Sequence, residues 1–336
     1  MIFVILEEEL EYRELGKTGT KVSAVGFGCW AMGASGWGDV DDSESISAAR
    51  RALDLGINFF DTAPGYGFNH SEKVLAKALE GKRKEAFLAT KCGIDWEEKT
   101  GKIWKNSSPA YIRKDCERSL QTLNTDRIDL LQVHWPDEKV PISDTMGELA
   151  KLQKEGKIKY IGVSNYSVAQ MKECRKYIEL VSLQPPFSML NRGVEQEILP
   201  FCLEQKISAL AYSPIQQGLL TGKYTRDAVF PENDMRLHNP MFKGVIFEKI
   251  IAAVEEFKKM AKGYGRTMTQ FAINWVLCNP ALTVAIVGAK KPAQVEENAG
   301  GAGWKISDED LKKTYEILDR LQQEIMRQLA AQNKNK

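Results

Sequence analysis

Short runs rich in β-branched and aromatic residues recur along the chain, each followed by a longer run of helical period. The strand candidates start at Ser23 (SAVGFG), Ile57 (INFFDT), Ala86 (AFLATK), Ile128 (IDLLQVHW), Lys159 (KYIGVSN), Val181 (VSLQPP), Ile207 (ISALAYSP) and Thr283 (TVAIVGA). Between them, Ile46, Ala49 and Leu53 fall on one helix face before a stop at Gly56, and Val74, Leu75, Ala78 and Leu79 do the same before Gly81. Ser108-Pro109 is a helix start ahead of Ile112, Cys116 and Leu120. Further helices are expected from Met146 to Gly156, from Ser167, around Ile198, over 247–260 and 268–277, and from Ser307 to about Leu329. Alternation of this kind is the signature of repeated βα units.

Eight such units without a linker-like drop in complexity fit one closed (β/α)8 TIM barrel better than two doubly wound halves. The dinucleotide fingerprint of the doubly wound fold is missing. Gly26-Phe27-Gly28 runs into Cys29-Trp30-Ala31-Met32-Gly33, and no acidic residue closes the unit some way on. The expected architecture is a single barrel domain over 10–329, opened by a short N-terminal β-hairpin and flanked by an extension at 1–9 and a polar tail at 330–336. Two inserts interrupt the rhythm, Gly93 to Ser107 after the third strand and Ile215 to Val245 after the seventh. Loops of this length are commonly functional lids.

Charge narrows the class of partner. With 46 basic and 45 acidic side chains spread along the chain, there is neither a nucleic-acid footprint nor a polybasic membrane surface. No segment approaches the apolar length of a membrane span. The opening MIFVIL lacks a basic flank and meets EEELE at once, unlike a secretory signal. Six scattered cysteines form no C-x-x-C pair and no metal-like spacing with the three histidines, so no metal is expected and reduced thiols in a cytoplasmic protein are. Oligomeric state is left at monomer or small homo-oligomer.

Chemistry in such a barrel sits where strands end. The second strand ends on Asp61 with Tyr66 in the loop after it, the third on Lys91, the fourth on His134, the fifth on Ser164 and Asn165, the sixth on Gln184 and the seventh on Tyr212. Singly, each has an ordinary explanation as a cap, a turn residue, a solvated lysine or a packed aromatic. Jointly they place polar groups at one mouth of the barrel. A tyrosine with an ordinary pKa near 10 needs a positive neighbour to do acid–base work near neutrality. Lys91 supplies that charge, Asp61 holds the ammonium, and His134 can donate to a substrate oxygen.

In its D-T-A-x-x-Y-G, L-A-T-K and Q-V-H-W settings, the set Asp61, Tyr66, Lys91 and His134 resembles the catalytic tetrad of the aldo-keto reductases, nearest the bacterial general-stress and inositol-operon branch. The resemblance runs from Tyr12-Arg13-Glu14-Leu15-Gly16 almost to the C-terminus through I-G-V-S-N at Ile161, Y-S-P at Tyr212, G-L-L-T-G-K at Gly218 and G-A-K-K-P-A-Q-V-E-E-N at Gly288. It implies hydride transfer between a nicotinamide dinucleotide and a carbonyl, Tyr66 acting as general acid or base. The small-molecule carbonyl is the expected partner.

By the same resemblance, Ser164, Asn165 and Gln184 bond the carboxamide and Tyr212 stacks on the nicotinamide ring. Gly28, Cys29 and Trp30 line that ring's side, with Asp61 beside them. Ser213, Pro214, Gln216, Gly218, Leu219, Gly222 and Lys223 follow the pyrophosphate. Gly288, Ala289, Lys290, Lys291, Gln294, Glu297 and Asn298 surround the adenosine end. Lys290 and Lys291 favour NADP(H), with NAD(H) the lesser alternative, although Gln294 stands where many members carry arginine. Substrate walls are expected from Trp30, Trp37, Trp96, Trp104 and Trp135, with Tyr66 and His134 at their base, a lining suited to apolar or flat aldehydes. Two other classes use the same residues: a Schiff-base aldolase through Lys91, and a nicotinamide-bound regulatory subunit with little turnover.

Overall fold

The computed structural model of the chain describes residues 10–334 apart from 35 and 39, with side chains as far as residue 330. The extension expected over 1–9 and the last two residues of the tail lie outside this range. A hairpin of β1 (Tyr12–Glu14) and β2 (Lys21–Ser23) comes first. The barrel strands are β3 (Val25–Gly28), β4 (Phe59–Asp61), β5 (Phe87–Cys92), β8 (Ile128–Val133), β9 (Ile158–Ser164), β10 (Leu180–Gln184), β11 (Ser208–Tyr212) and β12 (Leu282–Gly288). They close in the order β10-β11-β12-β3-β4-β5-β8-β9 with every neighbour parallel. The first barrel strand starts later than the pattern suggested, because Ser23 pairs with Tyr12 in the hairpin. The insert after β5 is an antiparallel ribbon, β6 (Ile94–Glu97) with β7 (Lys102–Lys105), where a loop was expected.

Around the barrel run α1 (Asp42–Asp54), α2 (His70–Ala78), α3 (Pro109–Thr122), α4 (Ile142–Lys154), α5 (Val168–Cys174), α6 (Ile198–Gln205), α7 (Gly244–Gly263), α8 (Met268–Leu277), α9 (Pro292–Ala299) and α10 (Asp308–Lys334). Local signals start several of them. Pro109 opens α3, while Ser167 with Gln170 and Thr267 with Gln270 form reciprocal capping boxes on α5 and α8. The backbone of α10 stays helical to Lys334, beyond the Leu329 at which its pattern was read to end. All six thiols are free, and among the described residues no helix is long and apolar enough to cross a membrane.

The period of two along each strand decides what faces inward. On β4, Phe59 packs inside the barrel against Phe87 of β5, with ring centroids 5.5 Å apart, while Phe60 joins the layer under the helices. Asp61 therefore faces the barrel axis at the carboxyl end. On β5, Leu88 packs outward, Ala89 inward and Lys91 inward. Thr90, facing out, donates to Glu72 Oε1 of α2 at 2.7 Å and ties that helix, which follows the Tyr66 turn, to β5. Burial pushes the Glu72 carboxyl up to about 7.

Candidate active site

The carboxyl end of the barrel brings Asp61, Tyr66, Lys91 and His134 together. Lys91 is 1% exposed, and its Nζ donates to Asp61 Oδ1 at 2.6 Å, to the Thr62 carbonyl at 3.0 Å and to Tyr66 Oη at 3.2 Å. All three ammonium hydrogens are thus engaged. Burial opposes the charge on Lys91, but Asp61 and Tyr66 outweigh it and raise its pKa above the ordinary lysine value. An ammonium held this way is not the free amine a Schiff base requires. For Tyr66, burial outweighs the lowering by Lys91 and keeps the phenol above its ordinary range. Lys91 alone therefore does not bring the tyrosine toward neutrality; it fixes the hydroxyl oxygen as an acceptor, so that the phenol hydrogen is directed elsewhere.

His134 closes the set from β8's end. Its ring stands edge-on to Tyr66 with centroids 5.9 Å apart, and Asn165 Nδ2 donates to its carbonyl at 3.1 Å. Burial and then the Lys91 charge push the imidazole down to about 3, so the ring is neutral across the working pH range. Below Lys91, Asp61 Oδ2 accepts from Gln184 Nε2 at 2.7 Å and from Gln132 Nε2 at 3.3 Å.

One cavity of about 580 Å³ lies over these groups. Gly28 and Trp30 form one side of it, with Ser164, Asn165 and Gln184 across the barrel. Tyr212, Ser213 and Pro214 form the floor after β11, and Tyr212 Oη donates to Asn165 Oδ1 at 3.1 Å. Farther out the lining passes through Gly218 and Lys223 to Gly288, Ala289, Lys290 and Gln294. Left-handed backbone gathers here at residues other than glycine: Asn165, Ser213 and Gln217, with φ of 63°, 55° and 55°. Such conformations cost energy and tend to cluster where geometry serves a function.

Several residues expected at the site lie behind or away from the cavity. Cys29 and Leu219 are fully buried. Gln216 turns to Ser188, whose Oγ donates to its Oε1 at 3.1 Å, and Gly222 lies against Lys258. Lys291 pairs with Glu44 at 3.2 Å. Glu297 contributes a backbone carbonyl to Gln270, and Asn298 Nδ2 donates to the Gly288 carbonyl at 3.4 Å. Trp96 and Trp104 are not cavity walls either. Trp96 packs under the ribbon with Phe68 and the Arg118 guanidinium, the latter 4.1 Å from its ring centre, and Trp104 sits on the ribbon's other face. Trp30, Trp37 and Trp135 do line the cavity, and the ribbon supplies Ile94 and Ile103 in place of the two tryptophans.

Arg236 was not foreseen. The segment after Lys223 crosses the mouth, where Met235 N–H donates to the Gly36 carbonyl at 3.0 Å and Asp234 bridges to Trp37. Arg236, paired with Asp234, then joins Lys223 and Lys290 in the cavity lining. No local sequence signal marks it, since it lies in a long polar stretch. The two isoleucines had a weak one, apolar residues on both sides of the Thr100-Gly101 turn.

The sequence from residue 24 to residue 319, which carries these groups, matches the model of the Aldo/keto reductase family. The chain belongs to the aldo/keto reductase family. Aldo-keto reductase YhdN of Bacillus subtilis is 41% identical, over 92% of this chain and 94% of that protein. An NADH-specific methylglyoxal reductase of Escherichia coli is 36% identical over 92% and 98% of the two chains. A solved glycerol dehydrogenase from Gluconobacter oxydans superposes with a TM-score of 0.86 at 41% identity, covering 93% of this chain and 96% of that one. As a member of the aldo/keto reductases, the protein is an oxidoreductase that reduces carbonyls with a nicotinamide cofactor.

The depressed His134 pKa has a direct check. In NMR titration of the three imidazoles, His134 is expected to show no protonation step above pH 5; a step between pH 6 and 7 that disappears in His134→Gln would contradict a neutral donor.

Proposed function

We propose that this aldo/keto reductase reduces apolar or flat aldehydes and ketones, prefers NADPH to NADH, and uses Tyr66 as the proton donor. The observation that carries the reading is the continuity of the site: the buried chain Asp61–Lys91–Tyr66 opens into the same cavity as the Tyr212 ring and three cations. The residues fit a dinucleotide. Tyr212 offers an aromatic face, and Ser164 and Asn165 offer amide-matching groups. Gln184 commits an amide hydrogen to Asp61 and keeps its carbonyl oxygen as an acceptor for a carboxamide. At the other end, burial first and then the charges of Arg236 and Lys290 lower the Lys223 pKa, against the opposing pull of Asp234 and Glu297, and an anion bound there would favour the charged lysine.

When bound, the nicotinamide supplies the hydride. The chain's own residues do the rest. His134, neutral, donates an N–H to the carbonyl oxygen, and Tyr66 gives its proton to that oxygen as negative charge develops on it. Lys91 stabilises the phenolate left behind, and Asp61 keeps the ammonium in place. Trp30, Ile94, Ile103 and Trp135 exclude water from one side of the substrate. Because the Tyr66 pKa is raised, the phenol is the prevailing form through neutral pH. Reduction should therefore hold steady through neutrality and decline only at alkaline pH, whereas alcohol oxidation, which needs the phenolate, should rise with pH.

The similar proteins include an NADH-specific reductase and an NADP(+) enzyme, the aldo-keto reductase yakc of Schizosaccharomyces pombe at 33% identity. The cofactor preference is therefore argued from this chain's own cations. Lys290 lines the cavity with its ammonium on the Trp37 carbonyl at 2.5 Å, while Lys291 turns outward to Glu44, so Lys290 is the nearer of the two cations to a 2′-phosphate bound in the cavity.

Steady-state turnover of 4-nitrobenzaldehyde with each cofactor tests the reading. Tyr66→Phe should lose at least about a hundredfold in kcat with NADPH affinity nearly unchanged, and equal turnover would refute the assignment. Lys290→Met should cut the NADPH-to-NADH preference about tenfold; a ratio that does not move would remove Lys290 from the phosphate site.

A further inference from the structure

Gln132 has no place in the tetrad, yet it occupies the interior of the barrel directly beside it. Its side chain is fully buried, and it lies on β8 next in register to Lys91 of β5. The neighbouring apolar pattern makes the residue conspicuous. Leu131 and Val133 face outward into the layer under the helices, and Leu130, two residues earlier on the inward side, packs with Phe59 and Phe87. An inward residue between Leu130 and the mouth has no packing reason to be an amide. Burying one without partners costs about 1–3 kcal/mol in protein mutational data.

One half of the amide has a partner. Nε2 donates to Asp61 Oδ2 at 3.3 Å, alongside Gln184 Nε2 at 2.7 Å on the same oxygen. The other oxygen of Asp61, Oδ1, takes the Lys91 ammonium. Asp61 is 3% exposed, so water does not solvate this carboxylate and the two amides take that role on Oδ2. The space for Gln132 is kept by Gly162, its register neighbour on β9. A Cβ at Gly162 would lie 3.0 Å from Gln132 Cγ and 2.3 Å from Ser182 Oγ.

We propose that Gln132 is a positioning residue of the reaction: its carboxamide, with that of Gln184, fixes the Asp61 carboxylate so that Oδ1 meets Lys91, and through Lys91 it sets the proton affinity of Tyr66. The proposal rests on the reading of Tyr66 as proton donor. It differs from a packing role in what it predicts for pH. The Asp61 charge raises the pKa of both Lys91 and Tyr66. With one of its two amide tethers on Oδ2 gone, the carboxylate is free to turn Oδ1 off the ammonium, and with that contact lengthened the Lys91–Tyr66 pair gives up a proton at lower pH. The titratable groups that face the cluster are Asp61, Lys91 and Tyr66 themselves, neutral His134 above, and the Cys29 thiol and Tyr212 phenol, both pushed up by burial; Gln184 and Ser182 on β10 are uncharged.

The test compares kcat–pH profiles of the wild type, Gln132→Met, Gln132→Glu and Ser182→Ala in the reduction direction. Gln132→Met keeps the shape and removes the donor. It is expected to lower kcat about tenfold, to move the alkaline limb to lower pH, and to leave KM for cofactor and carbonyl within about twofold. Gln132→Glu can donate to Asp61 Oδ2 only while protonated, so it should approach wild-type kcat at acidic pH and lose it as pH rises. Ser182→Ala alters the same buried layer without touching Asp61 and should leave the limb in place. Wild-type-like limbs in both Gln132 variants, or an equal displacement in Ser182→Ala, would overturn the proposal. Undiminished turnover in Tyr66→Phe would instead strike the reading of Tyr66 on which it rests. If Gln132→Met does not fold, Gln132→Glu decides alone, since its limb either appears or does not.

Discussion

An ammonium sealed from water is the most demanding group in this molecule. Removing a charge of this kind from water costs several kcal/mol even after relaxation, and the site offsets that cost with three acceptors around Lys91 Nζ: Asp61, the Thr62 carbonyl and Tyr66. Each acceptor arrives from a different constraint. Asp61 ends β4, Thr62 is the first residue beyond it, and Tyr66 is delivered by the turn that leads into α2. The same demand reaches backward into the barrel, where Gln184 and Gln132 bond the far oxygen of Asp61. What surrounds Tyr66 is a set of partners that a buried cation requires, and the proton chemistry proposed for Tyr66 follows from satisfying it.

The strand period connects this chemistry to the core. Phe59 and Asp61 share a face of β4, as Ala89 and Lys91 do on β5 and Leu130 and Gln132 on β8. Each strand thus carries apolar residues where the barrel is filled and changes to polar ones at its carboxyl end. A one-residue slip of any of them would exchange these faces and bury the wrong groups. The packed interior of Phe59, Phe87, Leu130, Val181 and Leu210 is therefore what holds the register of the catalytic layer.

Much of this was legible in the residues. Strand and helix alternation is a long-range pattern repeated many times, so the barrel could be read even though individual ends shifted, as at Ser23 and Leu329. The tetrad was legible because strand ends are the positions a barrel offers to chemistry. Other features were not, beyond the cofactor-side residues that turn away from the cavity. The ribbon of β6 and β7 looks like a loop in the sequence, since a pair of four-residue strands with one turn is too short to stand out from a polar insert. Residue type alone suggests Trp96 and Trp104 as walls, but the ribbon's register puts Trp104 on the face away from Ile94 and Ile103, and Trp96, on their face, packs against Phe68 and Arg118 instead of lining the cavity. Arg236 approaches the site only because a distant segment crosses to Gly36 and Trp37, a contact no local pattern encodes.

In this mechanism a charged Lys91 makes proton transfer by Tyr66 possible without taking part in cofactor binding. Transient kinetics of Lys91→Met measure it most directly, with NADPH preloaded and oxidation followed on mixing with 4-nitrobenzaldehyde. The hydride-transfer burst should slow by at least about a hundredfold while the NADPH dissociation constant, read from cofactor fluorescence, stays within about threefold, a change worth under about 1 kcal/mol. A burst of wild-type rate in a folded Lys91→Met protein would contradict it.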